Sequence, residues 1–471
     1  MANEKMTNLE SFRREVAAQL MRPCTIDNMV QMSAKLKRQY LDKMQHGEEC
    51  MLPSFCHSLP TGQETGTFIC IDMGGSTCRV ALVTLRGKDG ETPGMTIERI
   101  RSNKINENIR QLAAPEFFQW MATKIHEMLG HSGEGRNLQD QTIPVGISWS
   151  FPIEQTSHKS GRVQPMGKGF HCHEGVLGED LAKLIETACR RRGLNVRIDA
   201  IINDSSATLL SNAYRNPQTV AGLILGTGTN AAIHLPVEYI GKQKFGHRHA
   251  AWFGQAQNVI VNTELSMFGK DVLPRTRWDE RLNREHALPN FQPLEYMTAG
   301  RYLGEIFRLI VVEAITDHGL FQNNMTEKLA QRYTIAADVL AFIEVGQSGA
   351  CRDLAIRVQD VFELNEPPTN DDLSFLQTIA ECLSARAASY IATATHALLS
   401  LLDSLEGKTV AIAVDGFIIC EYPGFRHRCE SLITSLQEHY HATRPYTVAF
   451  EPTHEASILG AAVAVAIADV V

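Results

Sequence analysis

Two features able to support phosphoryl transfer lie close together in residues 201–230. The run IINDSSAT places Asp204 at the predicted end of a strand, and a later apolar run breaks into the turn Gly226-Thr227-Gly228-Thr229-Asn230. A carboxylate there can accept the proton of an attacking hydroxyl, and the N–H groups of a Gly/Thr turn can hold phosphate oxygens. Each half has an ordinary alternative, because Asn-Asp often initiates turns and GTGT often closes a plain hairpin.

A second glycine-rich turn, Gly74-Gly75-Ser76, separates two apolar runs, Thr67 to Met73 and Val80 to Leu85. The pattern predicts a β-hairpin, and no G-x-x-x-x-G-K-[ST] motif is present anywhere in the chain. Glycines let backbone N–H groups approach phosphates, and Asp72 can hold Mg²⁺ through water. Arg79 can stabilise the transferred group. An ordinary hairpin is the alternative for these residues taken alone.

Several polar residues beside turns could bind a sugar. Ser150 follows the predicted strand Ile143 to Ile147, and Lys168 lies between two glycines in what reads as a mobile loop. Glu264 and Glu295 lie near turn residues, where carboxylates can accept hydrogen bonds from sugar hydroxyls. The alternatives are a turn serine, an exposed lysine and solvated carboxylates.

Composition narrows the class of protein. A chain of 471 residues with 44% hydrophobic and 21% charged residues predicts a globular protein of roughly two or three domains. The net charge of −8, without a clustered basic face, disfavours nucleic-acid binding. Eleven cysteines without paired spacing indicate reduced thiols, and His171-Cys172-His173 does not match zinc spacing. No signal peptide or membrane span is predicted, so we expect a cytoplasmic protein.

Hydrophobic periodicity predicts the elements that must position these residues. Alternating strands and helices up to residue 204 favour a mixed or largely parallel sheet. The apolar C-terminal segment predicts a buried helix beginning near Ser457. Helices are predicted at 8–45 in two pieces broken near Pro23, at 115–129, 178–192, 300–318 and 371–402, and strands at 143–147, 196–202 and 409–414.

Taken in order, the motifs resemble those of the hexokinase family over nearly the full length of the chain. The resemblance rests on IDMGGSTCR, GISWSFP, GKGF, INDSSAT, LGTGTN, NTELSMFG, FQPLEYMTAGRYLGE, VAIAVDG and a final S-x-x-GAA. Within the family the chain is most similar to the fungal N-acetylglucosamine kinases. Glucose-type hexokinases typically carry GGTN, TKGF, NDT and E-Y-G-S-F where this chain has GGST, GKGF, NDS and E-L-S-M-F.

The resemblance implies an α/β fold of two actin-like ATPase (hexokinase) lobes, with a cleft that closes on the sugar. We expect a small domain from 63–204 plus 456–471 and a large domain from 1–62 plus 205–455. The implied reaction is phosphorylation of the 6-hydroxyl of N-acetylglucosamine by ATP with Mg²⁺, the metal being held through ATP and by Asp72 through water.

The resemblance also implies roles for individual residues. Asp204 is the implied general base, assisted by Lys168 and Arg79. The implied sugar site comprises Ser150, Phe151, Gly167, Lys168, Asn203, Asp204, Asn230, Glu264 and Glu295. The implied nucleotide site comprises Asp72, Gly74, Gly75, Ser76, Thr77, Gly226, Thr227, Gly228, Asp415, Gly416 and Ser457.

Some positions depart from the family pattern. Gly167 stands where glucose-type relatives usually have threonine, and we expect it to make room for the N-acetyl group. Phe417 replaces a serine, and Glu455-Ala456-Ser457-Ile458 replaces D-G-S-G, which predicts a modest ATP affinity. A glucose or other hexose kinase and a catalytically weak sugar sensor are the alternative functions. The expected partners are sugar and ATP, with no nucleic acid or membrane, and the expected state is a monomer or weak homodimer.

Overall fold

The computed structural model describes residues 8–88, 93–130, 142–166, 170–172, 174–246, 248–346, 351–402, 405–439 and 445–468. Its strands are β1 (Leu52–Pro53), β2 (Thr65–Met73), β3 (Thr77–Gly87), β4 (Gly94–Lys104), β5 (Ile143–Trp149), β6 (Ile153–Ser157), β7 (Ser160–Val163), β8 (Val196–Ile202), β9 (Thr219–Leu225), β10 (Thr229–Pro236), β11 (Asn258–Asn262), β12 (Thr409–Asp415) and β13 (Thr447–Pro452). Its α-helices are α1 (Asn8–Met21), α2 (Ile26–Gln45), α3 (Glu107–Arg110), α4 (Ala114–Leu129), α5 (Leu181–Arg190), α6 (Asp204–Ala213), α7 (Ala250–Gln255), α8 (Arg277–Glu285), α9 (Pro293–Thr298), α10 (Gly300–His318), α11 (Glu327–Ala330), α12 (Ala337–Val345), α13 (Cys351–Phe362), α14 (Asn370–Leu399), α15 (Phe417–Cys420), α16 (Phe425–His439) and α17 (Ala456–Ala466).

The first sheet is mixed, as the alternating pattern predicts. Its strand order is β4-β3-β2-β5-β8, with β4, β3 and β2 antiparallel and β2, β5 and β8 parallel. The predicted hairpin is confirmed, because β2 and β3 pair directly and the Gly74 N–H donates to the Thr77 carbonyl at 3.0 Å. The parallel strands place their carboxyl ends at one edge, which is where ligands bind in such sheets.

The second sheet has the order β1-β11-β10-β9-β12-β13. β9, β10 and β11 form antiparallel pairs, and β12 lies parallel to both β9 and β13. The glycine-rich turn joins β9 to β10, and Asp415 at the end of β12 is registered opposite Ile224 of β9. Both predicted nucleotide segments of this sheet therefore lie at the same edge.

Helices cover the second sheet, and capping explains where several begin. Thr25 caps α2 by accepting a hydrogen bond from the Asn28 N–H, after Pro23 has ended the preceding helix in a 3₁₀ turn. Thr369 and Asp372 form a capping box at the start of the long helix α14. The predicted pair of helices at 8–45 is therefore confirmed. They pack against α14, and none of the described helices combines the length and apolarity needed to cross a membrane.

Helices α6 and α17 lie between the two sheets and share one apolar cluster with both. That cluster joins residues of the first sheet and both helices to Ala232 of β10 and Ile260 of β11. The helices touch at Gly460, where an added Cβ would come within 1.9 Å of the Ala207 carbonyl oxygen. Only glycine permits this close approach. The predicted burial of the C-terminal helix is confirmed.

Two of the buried histidines, His158 and His396, are hydrogen-bonded within the fold. His158 donates through Nε2 to the Ala464 carbonyl at 2.9 Å, and its Nδ1 lies 3.4 Å from Cys56 Sγ. The Nδ1 of His396 contacts the Ser33 hydroxyl at 2.8 Å. Burial lowers the pKa of each histidine to about 4. Below the ordinary value of 6.5, the unfolded chain therefore binds protons that the folded chain does not.

We expect the free energy of unfolding to fall as the pH drops from about 6.5 to about 5. Each buried histidine removes at most about 1.4 kcal/mol per pH unit in this window. Urea unfolding at pH 7, 6 and 5 measures the slope, and His396→Gln should flatten it. His46→Gln changes an exposed histidine and should leave it unaltered. Equal slopes in wild type and His396→Gln would contradict the prediction.

Candidate active site

Three parallel strands end at one edge of the first sheet and bring predicted site residues together there. The register places Asp72 of β2 opposite Ser148 of β5, and Ser148 opposite Ile202 of β8. Just beyond the sheet, the Ser150 N–H donates to the last carbonyl of β2 at 3.1 Å. Asp204 follows two residues after the end of β8. The geometry thus gathers Asp72, Ser150 and Asp204 at this edge.

Asp204 is the first residue of α6, whereas the apolar run before it predicts a strand end at this position. The asparagine before it supplies the missing signal, because the Asn203 side chain caps the helix by accepting from the Ser205 N–H at 2.9 Å. The Ser150 hydroxyl donates to Asp204 Oδ2 at 2.9 Å, and the Ser205 N–H donates to Oδ1 at 2.8 Å. The helix N-terminus favours the negative charge, so the carboxylate is held in place as an acceptor.

A chain of amide and carboxylate side chains leads away from Asn203. The Asn230 amide donates to Asn262 Oδ1 at 3.0 Å and to Asn203 Oδ1 at 3.4 Å, and the Asn262 amide donates to Glu264 Oε1 at 2.8 Å. Glu264 has a left-handed backbone with φ 50°. Non-glycine residues in this conformation are strained and concentrate at functional sites. This hydrogen-bonded row, built from both sheets, links four polar groups suited to sugar hydroxyls.

Glu295 is anchored to the glycine-rich turn. Its Oε2 accepts from the Thr229 N–H at 2.9 Å, and an added Cβ on Gly228 would meet the same oxygen at 2.9 Å. Glycine at 228 therefore allows the carboxylate to reach the turn. Since Asn230 follows Thr229 in this turn, Glu295 lies close to the polar row that contains Glu264.

Phe151, Gly167 and Lys168 are the remaining residues of the predicted sugar site. Phe151 is buried, with its ring centroid 5.3 Å from that of Trp149 and 5.0 Å from that of Phe170. It therefore packs within the apolar core beside the edge, and its contact with sugar stays a prediction. Gly167 and Lys168 lie outside the described residues.

A cavity of about 590 Å³ lies at the β2–β3 hairpin. Its lining includes most of the nucleotide residues predicted in this segment, namely Asp72, Gly74, Ser76 and Thr77, together with Arg79, which is predicted to assist catalysis. Gly75 belongs to the same turn, where its carbonyl accepts from Arg110 Nη2 at 3.1 Å. The cavity combines backbone N–H groups, hydroxyls and a guanidinium, which is a suitable set for phosphate oxygens.

The second predicted phosphate turn packs directly on the end of β12. The Gly226 N–H donates to the Gly228 carbonyl at 3.0 Å, and Thr227 is exposed at the tip. Gly416 has φ 108°, and an added Cβ there would lie 2.5 Å from the Leu225 carbonyl oxygen, so both the backbone conformation and the contact require glycine. The Gly226-Thr227-Gly228 turn and the Asp415-Gly416 segment are therefore in contact.

Charges from both sheets meet between the two turns. Burial raises the pKa of Asp415, and a hydrogen bond from the Gly416 N–H and the positive charge of Arg79 oppose that rise. Asp72 accepts from Arg79 Nε at 3.0 Å and from Nη2 at 2.7 Å. Arg79 of the hairpin therefore pairs with Asp72 and also acts on the charge of Asp415 at the end of β12.

Ser457, the last of the predicted nucleotide residues, lies buried in the first turn of α17.

Three residues of this region were not predicted from the sequence. Asn262 stands two residues before Glu264 in the NTE motif, so its place in the polar row could have been inferred from that spacing. Glu455 pairs with Arg79 at 2.7 Å across a long stretch of sequence, and no local signal indicates it. Arg110 contacts the Gly75 carbonyl from a short helix, which is equally invisible to motif analysis. Within the described residues, no group of three or more His, Cys, Asp or Glu side chains is placed to hold a metal ion.

Comparison with known proteins identifies the family. Two family models, each described as hexokinase, match residues 14–214 and 220–467. The chain is 31% identical to the hexokinase of Emericella nidulans, over 78% of this chain and 73% of that protein. The chain belongs to the hexokinase family. It is also 28% identical to hexokinase-5 of Oryza sativa, over 83% of this chain and 76% of that protein.

The fold agrees with a solved hexokinase. The structure of the Schistosoma mansoni hexokinase complexed with glucose aligns with a TM-score of 0.81 at 24% identity, covering 97% of this chain and 99% of that one. The predicted two-lobed hexokinase fold is therefore confirmed. Membership of the hexokinase family, shown by the two family models and the relative from Emericella nidulans, makes the chain an ATP-dependent sugar kinase of the hexokinase type. The expected closeness to fungal N-acetylglucosamine kinases, the exact domain boundaries and the individual site roles stay predictions.

Proposed function

We propose that this hexokinase-family protein transfers the γ-phosphoryl group of ATP to the 6-hydroxyl of a hexose, with Asp204 as general base. The observation that carries the proposal is the placement of Asp204. Its carboxylate lies at the start of α6 and accepts a hydrogen bond from Ser150. The same edge of the first sheet carries Asp72, which lines the cavity at the β2–β3 hairpin.

In this reaction the sugar O6 forms a bond to the γ-phosphorus as the bond from that phosphorus to the bridging oxygen breaks. ADP leaves, and the O6 proton passes to Asp204. The two glycine-rich turns would hold the phosphates. Asp72 and Asp415 would face the Mg²⁺ that accompanies ATP, and this ion would neutralise charge on the phosphoryl oxygens. Closure of the lobes over the sugar would exclude water as a competing acceptor.

The polar row Asn203-Asn230-Asn262-Glu264 and the nearby Glu295 would bind the sugar hydroxyls. We propose a glucose-type hexose as the first substrate, because the relatives that match most of the chain are named hexokinases. N-Acetylglucosamine is the second candidate. It is favoured by the departures from glucose-type motifs at Gly167, at Ser205 and after Glu264.

An ADP-release assay with ATP-Mg²⁺ and glucose, mannose, fructose or N-acetylglucosamine tests the proposal. We expect turnover of at least one hexose, with kcat/KM highest for glucose. A value clearly highest for N-acetylglucosamine would replace the first candidate with the second. In that case Gly167→Thr should raise KM for N-acetylglucosamine more than KM for glucose, because a side chain would fill the space of the N-acetyl group. Sugar binding without turnover of any sugar would instead support a sensor.

A further inference from the structure

The guanidinium of Arg79 is shared between two carboxylates that line the cavity at the β2–β3 hairpin, those of Asp72 and Glu455. Asp72 Oδ2 accepts from Nε and Nη2, at 3.0 and 2.7 Å. Glu455 Oε2 accepts from the remaining amino group, Nη1, at 2.7 Å. Each nitrogen of the guanidinium thus has a carboxylate partner, and a phosphate oxygen that approaches Nη1 competes with the Glu455 carboxylate for that nitrogen.

The two partners differ in how easily they can be displaced. Asp72 lies within β2 and its side chain is 9% exposed, so losing Arg79 would leave a nearly buried carboxylate without its ion-pair partner, which is costly. The Glu455 side chain is 37% exposed and projects from the residue before α17. Rotation about its side-chain bonds moves the carboxylate into solvent, where water replaces the ion pair at little cost. Glu455 is therefore the partner that an entering anion displaces.

Negative side chains outnumber positive ones around Arg79, so displacement of Glu455 affects how strongly an anion binds there. Asp72, Asp415 and Glu455 surround Arg79, so the carboxylates outnumber the cation, although burial raises the pKa of Asp415. A polyphosphate entering the cavity meets Arg79 already neutralised and a carboxylate at the rim. Like charges at close range oppose binding, and a competing ion pair must first be broken.

We propose that Glu455 sets the nucleotide affinity by competing with the polyphosphate for Nη1 of Arg79. When nucleotide binds, the carboxylate of Glu455 turns to solvent and a phosphate oxygen takes its place, while Asp72 keeps Nε and Nη2. The longer side chain of glutamate, at a position where the family usually has aspartate, is what reaches the guanidinium. The inference rests on the proposed function, because it assumes that this cavity holds the phosphates.

Isothermal titration with ADP and with inorganic tripolyphosphate, both with Mg²⁺, tests this role. Glu455→Gln removes the charge at constant shape, and we expect the Kd of both ligands to fall about two- to fivefold, in line with the strength of a partly exposed ion pair. Glu455→Asp keeps the charge but shortens the reach, and aspartate tolerates the left-handed backbone of this position. It should also lower Kd.

Glu98→Gln is the matched control, because Glu98 is similarly exposed at 39% and lies on β4, away from Arg79. Its Kd values should equal those of the wild type. A higher Kd in Glu455→Gln would overturn the inference, since Glu455 would then support nucleotide binding. Tighter binding by Glu455→Gln but not by Glu455→Asp would also overturn it, because charge alone would be responsible. Failure of the wild type to bind either ligand would instead overturn the proposed phosphate site itself.

Discussion

Asp204→Asn is expected to lower kcat by about 10²- to 10⁴-fold, the usual contribution of a general base. Asparagine can still accept a hydrogen bond from the sugar hydroxyl and from Ser150, but it cannot take the proton as the bond to phosphorus forms. The sugar dissociation constant should therefore change little. Steady-state ADP release gives kcat, and equilibrium titration with the preferred sugar gives the dissociation constant.

Asp180→Asn provides the control for this experiment. Asp180 caps α5 by accepting from the Lys183 N–H at 3.0 Å, and asparagine caps equally well. The same change of charge at another helix N-terminus should therefore leave kcat unaltered. A loss smaller than tenfold in Asp204→Asn would remove Asp204 from the role of base. A sugar-dependent cellular response that persists in this variant would favour the sensor alternative.

Arg386→Met is expected to lower the free energy of unfolding by about 3–5 kcal/mol, because it leaves a buried carboxylate unpaired. Arg386 of α14 donates to both oxygens of Asp279 at 2.7 and 2.8 Å, and both side chains are buried to within 2% of full burial. Burial would raise the pKa of Asp279, but Arg386 and the capping bonds from Thr276 hold it below its ordinary value. Urea unfolding at pH 7 measures the loss.

Arg281→Met on the same helix as Asp279 is the matched control. Arg281 pairs with Glu285 at the surface, so this change should cost less than about 1 kcal/mol. The double variant Arg386→Met/Asp279→Asn should be more stable than Arg386→Met alone, because the uncompensated charge is gone while the amide oxygen can still accept from Thr276, the N-cap of α8. Equal losses in Arg386→Met and Arg281→Met would show that the buried pair does not stabilise the fold.

Local signals in the sequence account for much of the fold. Helices α1, α2, α4, α10 and α14 follow from apolar spacing and caps, and β5, β8 and β12 from short apolar runs. Two elements beside the site were missed for physical reasons. α6 is buried on every side after its first residue, so it has no amphipathic period. β4 is an edge strand in which no residue is buried and four are charged, and only its pairing with β3 makes it a strand.

The site was predictable to the extent that its residues lie in motifs. The hairpin turn, Asp204, Asn230 and the two glutamates were found because their types and order suit phosphate and sugar. Glu455 was recognised as a departure, but its contact with Arg79 depends on how α17 packs on the first sheet. Such a contact joins residues far apart in the sequence, and periodicity and turn chemistry carry no information about it.

The packing of α17 against α6 also determines how late in synthesis the helix that begins at Asp204 gains its full set of contacts. Residues of α17 fill the cluster beneath α6, with Gly460 against Ala207, yet they leave the ribosome long after Asp204 has emerged. Until α17 is made, the apolar surfaces of β2, β5 and α6 that it covers stay exposed in the nascent chain and are prone to aggregation. A chain halted before residue 456 would carry every motif from Asp72 to Asp415 and still lack α17, the helix that packs against α6.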